Sequence, residues 1–327
     1  MDQRFEQLKR WVSDILGRND FSIAPASADA SFRRYFRVQL NSTTHIVMDA
    51  PPDKEDSRPY VAIATRLHSL GLNVPEILSQ DLPQGFLLIS DLGTRTYLNE
   101  LNDGSVERLY GDALSSLVTL QAGIFQDRAF LPPYSQSILL REMELFREWY
   151  LGRHRGLDLT AEQQTILSDA FNRLAESALA QPVVWVHRDY HSRNLMVTTR
   201  HNPGILDFQD AVVGPITYDL VSLLRDCYIA WPRARIEDWV RGYYELGRQS
   251  GLPVGDDVDL FLRWFDWMGA QRHLKAVGIF ARLNHRDGKP GYLNDIPRTL
   301  GYIVDVAGRY PELQGLHRLL QDLPSAP

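Results

Sequence analysis

The spacing of apolar positions changes along this chain and divides it into a strand-rich first part and a helix-rich remainder. Apolar residues recur at helical intervals over residues 5–16, which predicts an amphipathic first helix. Short apolar runs bounded by turn residues then predict β-strands. These strands cover residues 21–23, 32–40, 45–48 and 86–89. Between the last two of them, a helical pattern over residues 60–70 begins after Pro59 and ends at Gly71.

Helical periodicity dominates from about residue 105 onward. The predicted helices cover residues 106–124, 138–150, 161–179, 218–224, 236–247 and 258–280. Three short strands are predicted at 183–186, 195–197 and 204–206. This distribution predicts an α+β fold with a β-rich N-terminal lobe over 1–90, a hinge over 91–95 and a mostly helical C-terminal lobe over 96–327.

Composition narrows the class of protein. The 327 residues are 44% hydrophobic and 23% charged, which suffices for a sizeable core and excludes wholesale disorder. The net charge of −6, with acidic and basic residues interspersed, argues against nucleic acid or an anionic membrane as the main partner. Cys227 is the single cysteine, so no intrachain disulfide is expected. No signal-peptide pattern opens the chain and no long apolar window follows, which predicts a cytoplasmic protein.

One polar cluster carries the candidate chemistry. His187-Arg188-Asp189 is followed by Asn194, five residues after the aspartate. Ile205-Leu206-Asp207 is a predicted strand, and its aspartate lies thirteen residues after Asn194. The pattern resembles the catalytic loop and metal-binding strand of kinases. The resemblance implies that Asp189 accepts the proton of the attacking hydroxyl, that Asn194 and Asp207 hold Mg²⁺, and that ATP is the phosphoryl donor.

The residues after Asp207 distinguish between kinds of kinase. A protein kinase continues with glycine two residues after this aspartate and then has a long activation loop. Here Gln209 takes the glycine position, and only a short loop precedes the helical pattern that starts at Tyr218. The arrangement resembles the aminoglycoside phosphotransferase and choline kinase group, which implies a protein-kinase-like bilobal fold and a small-molecule hydroxyl as acceptor.

The predicted nucleotide-binding residues depart from the kinase pattern. The hairpin expected over ATP contains no glycine, so Ser31 and backbone amides are its candidates for phosphate contact. Met48 stands where the phosphate-binding lysine is expected, and residues 60–70 contain no acidic partner for one. Arg33 and Arg34 are therefore the candidate replacements, since a guanidinium binds phosphate bidentately. The hinge supplies three further candidates, Ser90, Asp91 and Leu92.

Several segments together resemble bacterial amino-sugar kinases of cell-wall recycling. These segments are 47–52, 88–93, 186–194 and 278–283. The resemblance implies N-acetylmuramate and N-acetylglucosamine as acceptors, phosphorylated on the anomeric hydroxyl. A polar and aromatic acceptor site in the helical lobe is then expected. Its candidate residues are Arg225, Asp226, Trp231, His273 and Lys275.

Two alternatives remain open from the sequence. Another small-molecule kinase, with an aminoglycoside or an amino alcohol as acceptor, would use the same catalytic residues, although a cationic acceptor favours a strongly acidic pocket. A nucleotide-binding regulatory protein without turnover is compatible with the missing lysine, but Asp189, Asn194 and Asp207 are all present. Protein partners are not predicted by any feature of the sequence.

Overall fold

The computed structural model describes residues 3–28 and 32–323 and divides the chain into two compact units. The first unit runs to residue 112 and also includes residues 193–210, and the second comprises 113–192 and the chain from 211 onward. Ser31, a predicted phosphate contact, lies outside the described residues. The hinge expected at 91–95 falls inside the first unit, and its role as a hinge stays a prediction.

The first part of the chain is built around a five-stranded antiparallel sheet with strand order β1-β2-β3-β5-β4. Its elements are α1 (Gln3–Leu16), β1 (Ser22–Ala28), β2 (Arg34–Leu40), β3 (Thr43–Asp49), α2 (Arg58–Ser69), β4 (Ile77–Asp81), β5 (Phe86–Ser90), α3 (Tyr97–Glu100) and α4 (Val106–Ala122). The apolar face of α1, centred on Leu8 and Val12, packs against Phe36, Val38 and Leu88 of the sheet. Burial of this apolar stripe stabilises α1 on the sheet.

The remainder is mostly helical, with four short strands. Its elements are a 3₁₀ turn (Gly123–Phe125), α5 (Gln136–Leu145), a π-helix (Phe146–His154), α6 (Ala161–Leu179), β6 (Val183–Val186), β7 (Leu195–Met196), β8 (Gly204–Ile205), β9 (Val212–Pro215), α7 (Tyr218–Leu224), α8 (Arg233–Gln249), α9 (Val258–Asp287), a 3₁₀ turn (Pro290–Asp295), α10 (Ile296–Arg309), a 3₁₀ turn (Pro311–Leu313) and α11 (Gln314–Gln321). β6 pairs with β9 in the second unit, and β7 pairs with β8 in the first.

Most predicted elements are present, and the α+β class is confirmed. The single helix expected over 138–150 is instead α5 followed by the π-helix. The junction of the two lies where α9 crosses close to their backbone. A Cβ on Gly278 of α9 would lie 2.3 Å from the carbonyl carbon of Leu145 and 2.5 Å from the backbone nitrogen of Phe146. Glycine is therefore required at this crossing, and the wider turn begins there.

Four substantial elements were not predicted from the sequence. They are β4, β9, α10 and α11. Among the described residues, no helix combines the length and the apolar character that crossing a membrane requires.

Candidate active site

The candidate catalytic loop begins in the second unit directly after β6 and is fixed by a buried carboxylate. Asp219, in the first turn of α7, accepts the backbone N–H of His187 at 2.6 Å and that of Arg188 at 2.9 Å. Arg188 has a φ of 77°, a left-handed conformation that is uncommon for a residue with a side chain. The two hydrogen bonds to Asp219 hold the backbone in this conformation and thereby direct the following residue, Asp189.

A second carboxylate fixes the far end of the same loop. Asp226 is buried and accepts the backbone N–H groups of Ser192, at 2.9 Å, and Tyr228, at 3.0 Å. Between these ends, the Tyr190 hydroxyl donates to the backbone carbonyl of Ala113 at 2.8 Å. The sequence predicted Asp226 as an acceptor-binding residue, whereas its observed contacts hold the loop.

Asp189 lies at a cavity of about 100 Å³ within the second unit. The other lining residues are His191, Tyr218, Cys227, Tyr228, Arg272, Lys275, Ala276, Ile279 and Phe280. Burial alone would raise the pKa of Asp189, but the positive charge of Lys275, followed by those of His191 and Arg272, outweighs it and lowers the pKa. Asp189 is therefore a carboxylate at neutral pH and is able to accept a hydrogen bond from a hydroxyl in the cavity.

Lys275 is held in place by a buried acidic residue of α5. Its Nζ lies 3.2 Å from Glu142 Oε1 and 3.1 Å from the Tyr218 hydroxyl. Glu142 also pairs with Arg188 and accepts a hydrogen bond from Tyr134. Burial raises the pKa of Glu142, but the charges of Lys275 and Arg188 outweigh this effect and lower it. A single carboxylate thus balances one cation of the candidate catalytic loop and one cation of the cavity wall.

Of the five predicted acceptor residues, Lys275 is the one that lines this cavity. Arg225 is 2% exposed and pairs with Asp266. His273 is fully buried with Nε2 2.8 Å from the Arg225 carbonyl, and burial lowers its pKa to about 3. Trp231 packs edge-on against Trp239. These side chains have contacts that stabilise the helical unit.

Sequence reasoning missed several residues of the cavity wall. They are Tyr218, Tyr228, Arg272 and Phe280. Helical spacing offered a signal for part of this set, because Arg272 is three residues before Lys275 and the two therefore share one face of α9. The rings of Tyr228 and Phe280, with centroids 6.2 Å apart, give the cavity an aromatic wall.

The predicted metal ligands lie side by side in the first unit. Leu206 donates its N–H to the Asn194 carbonyl at 2.9 Å, next to the β7–β8 pair. The Asn194 side-chain amide then lies 3.2 Å from Asp207 Oδ2, and Gln209 donates to Asp207 Oδ1 at 2.8 Å. Asp207 has a φ of 64°, so its backbone is left-handed at the point where its carboxylate is presented.

This donor set fits Mg²⁺. Carboxylate and amide oxygens are its preferred protein ligands, and it commonly takes only one or two of them together with substrate phosphates and water. Within the described residues no cluster of three or more histidine, cysteine or acidic side chains is arranged to hold a metal ion. A two-residue site formed by Asn194 and Asp207 is consistent with that finding.

The position expected to carry the phosphate-binding lysine is apolar. Met48 of β3 is completely buried and pairs with Tyr35 on one side and Leu87 on the other. The charge at this end of the strand belongs to Asp49, which is fully buried and accepts hydrogen bonds from Arg4 at 2.7 Å and Arg34 at 2.9 Å. Arg34 is therefore held within the sheet by an ion pair.

Arg33 has a different environment. Its guanidinium lies 2.9 Å from the Glu55 carboxylate, and both side chains are largely buried. Burial has the largest effect on the pKa of the Tyr60 hydroxyl and raises it. The charge of Arg33 lowers this pKa, and the charge of Asp207 raises it. The ring of Tyr60 also packs on Phe208, with centroids 4.9 Å apart. Arg33 thus lies near the predicted metal-binding strand within the first unit.

The three hinge candidates all have contacts within the first unit. The Ser90 hydroxyl accepts the N–H of Glu76 at 2.9 Å. Asp91 pairs with Arg37 at 2.6 Å, and this ion pair outweighs the effect of burial and lowers the Asp91 pKa. Leu92 packs so closely on Gly204 of β8 that a Cβ there would lie 2.9 Å from its Cδ1.

Comparison with known proteins identifies the family. Residues 22–254 match the model of the phosphotransferase enzyme family. A relative from Pseudomonas putida, named N-acetylmuramate/N-acetylglucosamine kinase, is 47% identical over 334 residues, covering 98% of this chain and 97% of its own. A relative of the same name from Pseudomonas aeruginosa is 45% identical over 337 residues, covering 99% and 98%.

Among solved structures, a choline/ethanolamine kinase family protein from Mesorhizobium loti matches with a TM-score of 0.62. Its sequence is 12% identical, and the match covers 98% of this chain and 99% of that one. The likeness confirms the predicted kinase-like fold. Because the family match spans most of the chain and the close relatives are kinases, this protein belongs to the phosphotransferase enzyme family and is an ATP-using kinase.

Proposed function

We propose that this kinase phosphorylates the anomeric hydroxyl of N-acetylmuramate and of N-acetylglucosamine, forming sugar 1-phosphates during peptidoglycan recycling in the cytoplasm. The observation that carries the proposal is the cavity in which the Asp189 carboxylate meets an aromatic wall and two cationic side chains. Relatives at 47% and 45% identity are named for these two amino sugars. A sugar offers a ring face for aromatic contact and hydroxyl groups for polar contact, and the cavity provides for both.

Asp189 is the proposed general base. Its lowered pKa keeps it ionised, so that it orients the acceptor hydroxyl and takes its proton as the oxygen attacks the γ-phosphorus of ATP and the bond to the departing ADP breaks. The anomeric hydroxyl is more acidic than a primary alcohol, which suits a base of low pKa. The hydrogen bonds from His187 and Arg188 to Asp219 hold the Asp189 backbone in place during this transfer.

Asn194 and Asp207 are the proposed Mg²⁺ ligands, and Gln209 orients the Asp207 carboxylate through its amide hydrogen bond. When bound, the metal neutralises charge on the phosphate oxygens. Arg33, which pairs with Glu55, is the proposed cationic contact to the phosphates, because it lies near the predicted metal-binding strand, whereas Arg34 is held within the sheet by the fully buried Asp49. The polar and backbone atoms of Ser90, Asp91 and Leu92 remain proposed nucleotide contacts at the hinge.

The Arg272 guanidinium in the cavity wall disfavours a positively charged acceptor. It would repel the ammonium groups of an aminoglycoside or of an amino alcohol, whereas it suits a neutral or acidic sugar. The presence of Asp189, Asn194 and Asp207 together favours an active enzyme over a regulatory protein that only binds nucleotide.

An acceptor panel tests the proposal. Consumption of ATP is measured in the presence of Mg²⁺ with N-acetylmuramate, N-acetylglucosamine, kanamycin, choline or no acceptor. The proposal expects turnover with the two amino sugars and only background with the other three samples. Turnover restricted to kanamycin or choline would replace the proposed substrate class, and ATP binding without turnover on any acceptor would favour the regulatory alternative.

A further inference from the structure

Arg272 is a buried cation with few hydrogen-bond partners among the described residues. Its side chain is 6% exposed, and its one hydrogen-bond contact within residues 3–28 and 32–323 is the Cys227 sulfur at 3.8 Å, a weak acceptor. Its Nε is buried with no hydrogen-bond partner among the described residues. A buried guanidinium in this state is costly, because a desolvated charge is normally paired and hydrogen-bonded.

Lys275, the other cation of the cavity wall, has an ion pair and a hydrogen bond within the protein. Lys275 lies 3.2 Å from the Glu142 carboxylate and 3.1 Å from the Tyr218 hydroxyl. Its charge is therefore compensated within the protein. Of these two cations of the cavity wall, Arg272 is the one with unused donors.

The helical spacing of α9 directs Arg272 toward the cavity. Arg272, Ala276 and Ile279 follow one another at intervals of four and three residues, so they lie on one face of the helix, and all three line the cavity. The small side chain of Ala276 leaves space one turn beyond the guanidinium. Asp189 lines the same cavity, so an acceptor bound there is within the same enclosed space as both the base and Arg272.

The geometry points to Arg272 as a carboxylate-binding residue of the acceptor site, one that recognises the lactyl carboxylate of N-acetylmuramate. The inference rests on the proposed function. A guanidinium matches a carboxylate with two parallel hydrogen bonds, and a bound carboxylate would supply the partner that Arg272 lacks. In N-acetylmuramate the lactyl ether is on C3 and the reacting hydroxyl on C1, so the two groups are able to meet different residues. N-acetylglucosamine has no carboxylate and gains nothing from this contact.

The competing account is that Arg272 serves the protein alone. Burial lowers the pKa of Arg272. The charges of Cys227 and Tyr218, followed by those of Asp189 and Asp226, outweigh burial and raise this pKa. Under that account Arg272 lowers the pKa of Asp189 and stabilises the candidate catalytic loop. Its loss would then affect the two acceptors equally, since both use the same base and the same loop.

The two accounts are separated by the ratio of kcat/KM for N-acetylmuramate to kcat/KM for N-acetylglucosamine. It is measured in the wild-type enzyme and in the Arg272→Met, Arg272→Lys and Lys275→Met variants. We expect Arg272→Met to lower the ratio roughly ten- to a hundred-fold, the effect of one charge-assisted contact. Arg272→Lys should restore part of it. Lys275→Met is the matched control, and it should lower both values without a comparable change in their ratio.

The methyl ester of N-acetylmuramate tests the same contact without a mutation. The wild-type enzyme should use the free acid roughly ten- to a hundred-fold better than the ester, so the test holds even if Arg272→Met fails to fold. Equal use of acid and ester, or an unchanged ratio in a folded Arg272→Met enzyme, would overturn the role of Arg272 and leave the proposed function intact. Failure of the wild-type enzyme to phosphorylate either sugar would overturn both.

Discussion

Arg34 stands directly opposite Asp49 across strands β2 and β3, and its Nε lies 2.9 Å from the Asp49 carboxylate. In the kinase pattern, a cation near the end of the third strand serves the nucleotide. Here β3 ends in the fully buried Asp49, and the nearby cation, Arg34, lies on β2. We therefore infer that Arg34 stabilises the sheet and that Arg33 is the candidate for phosphate binding.

The first prediction separates these two arginines. Arg33→Ala should raise the KM for ATP roughly ten- to a hundred-fold, because one charge-assisted phosphate contact is lost. Arg34→Ala should lower the free energy of unfolding by about 1 kcal/mol, because Arg34 is partly exposed and Arg4 still pairs with Asp49. Steady-state kinetics and thermal melts of both variants provide the comparison. Unchanged ATP affinity in Arg33→Ala and in the double variant would show that the phosphate charge is neutralised elsewhere.

The second prediction concerns the metal. Asp207→Ala should abolish detectable Mg²⁺-dependent turnover, and Asn194→Ala should raise the Mg²⁺ concentration required, since only the aspartate brings formal charge. Gln209→Leu should have a smaller effect in the same direction, because it removes the hydrogen bond that orients Asp207. Direct Mn²⁺ binding to each variant with nucleotide provides a readout that is independent of turnover. Identical metal titrations in all three variants would contradict the assignment.

The third prediction follows from the charge state of Asp189. Its pKa lies below the ordinary value of 3.8, so its carboxylate form persists as the pH falls and is lost only in more acidic solution. We therefore expect that protonation of Asp189 does not reduce kcat between pH 5 and pH 8, about one unit or more above that value. Lys275→Met removes the largest of the charges that lower this pKa and should shift the acidic limb of the profile to higher pH. An acidic limb at the same pH in both enzymes would show that Lys275 does not control Asp189.

The fourth prediction concerns the product. Transfer to the anomeric hydroxyl gives a glycosyl phosphate, which hydrolyses in mild acid, whereas a 6-phosphate survives. The methyl glycoside of N-acetylglucosamine, in which the anomeric oxygen is blocked, should not be a substrate. Phosphorus NMR before and after acid treatment distinguishes the two products. An acid-stable product with a free reducing end would refute anomeric transfer and leave the kinase assignment unchanged.

The candidate catalytic motif is recognisable in the sequence because its parts are local. Asp189 and Asn194 are five residues apart, and Asp207 follows on the adjoining strand. The strands β6, β7 and β8 around the motif were also predictable, since each is a short apolar run bounded by turn residues. The role of Asp219 was not, because its hydrogen bonds reach back 31 and 32 residues.

The lining of the candidate acceptor cavity was predictable only in part. Lys275 was identified as a basic residue in the right segment, but Arg272 became distinguishable from it only through contacts with residues far away in the chain, Glu142 for the lysine and Cys227 for the arginine. The pairing of Arg34 with Asp49 was likewise hidden, because the register of two strands decides which side chains stand opposite each other. The π-helix after α5 begins where Gly278 of α9 crosses close to the backbone, a long-range contact that no local pattern encodes.

The most direct test of the central claim compares wild-type enzyme with Asp189→Asn in ATP-dependent phosphorylation of N-acetylmuramate, with ATP binding measured on the same samples by calorimetry. The substitution keeps the shape of the side chain and removes its ability to take a proton. We expect turnover to fall by roughly 10²–10⁴-fold while the dissociation constant for ATP stays within a few-fold of the wild-type value. Near-normal turnover in Asp189→Asn would show that Asp189 is not the base and would contradict the account.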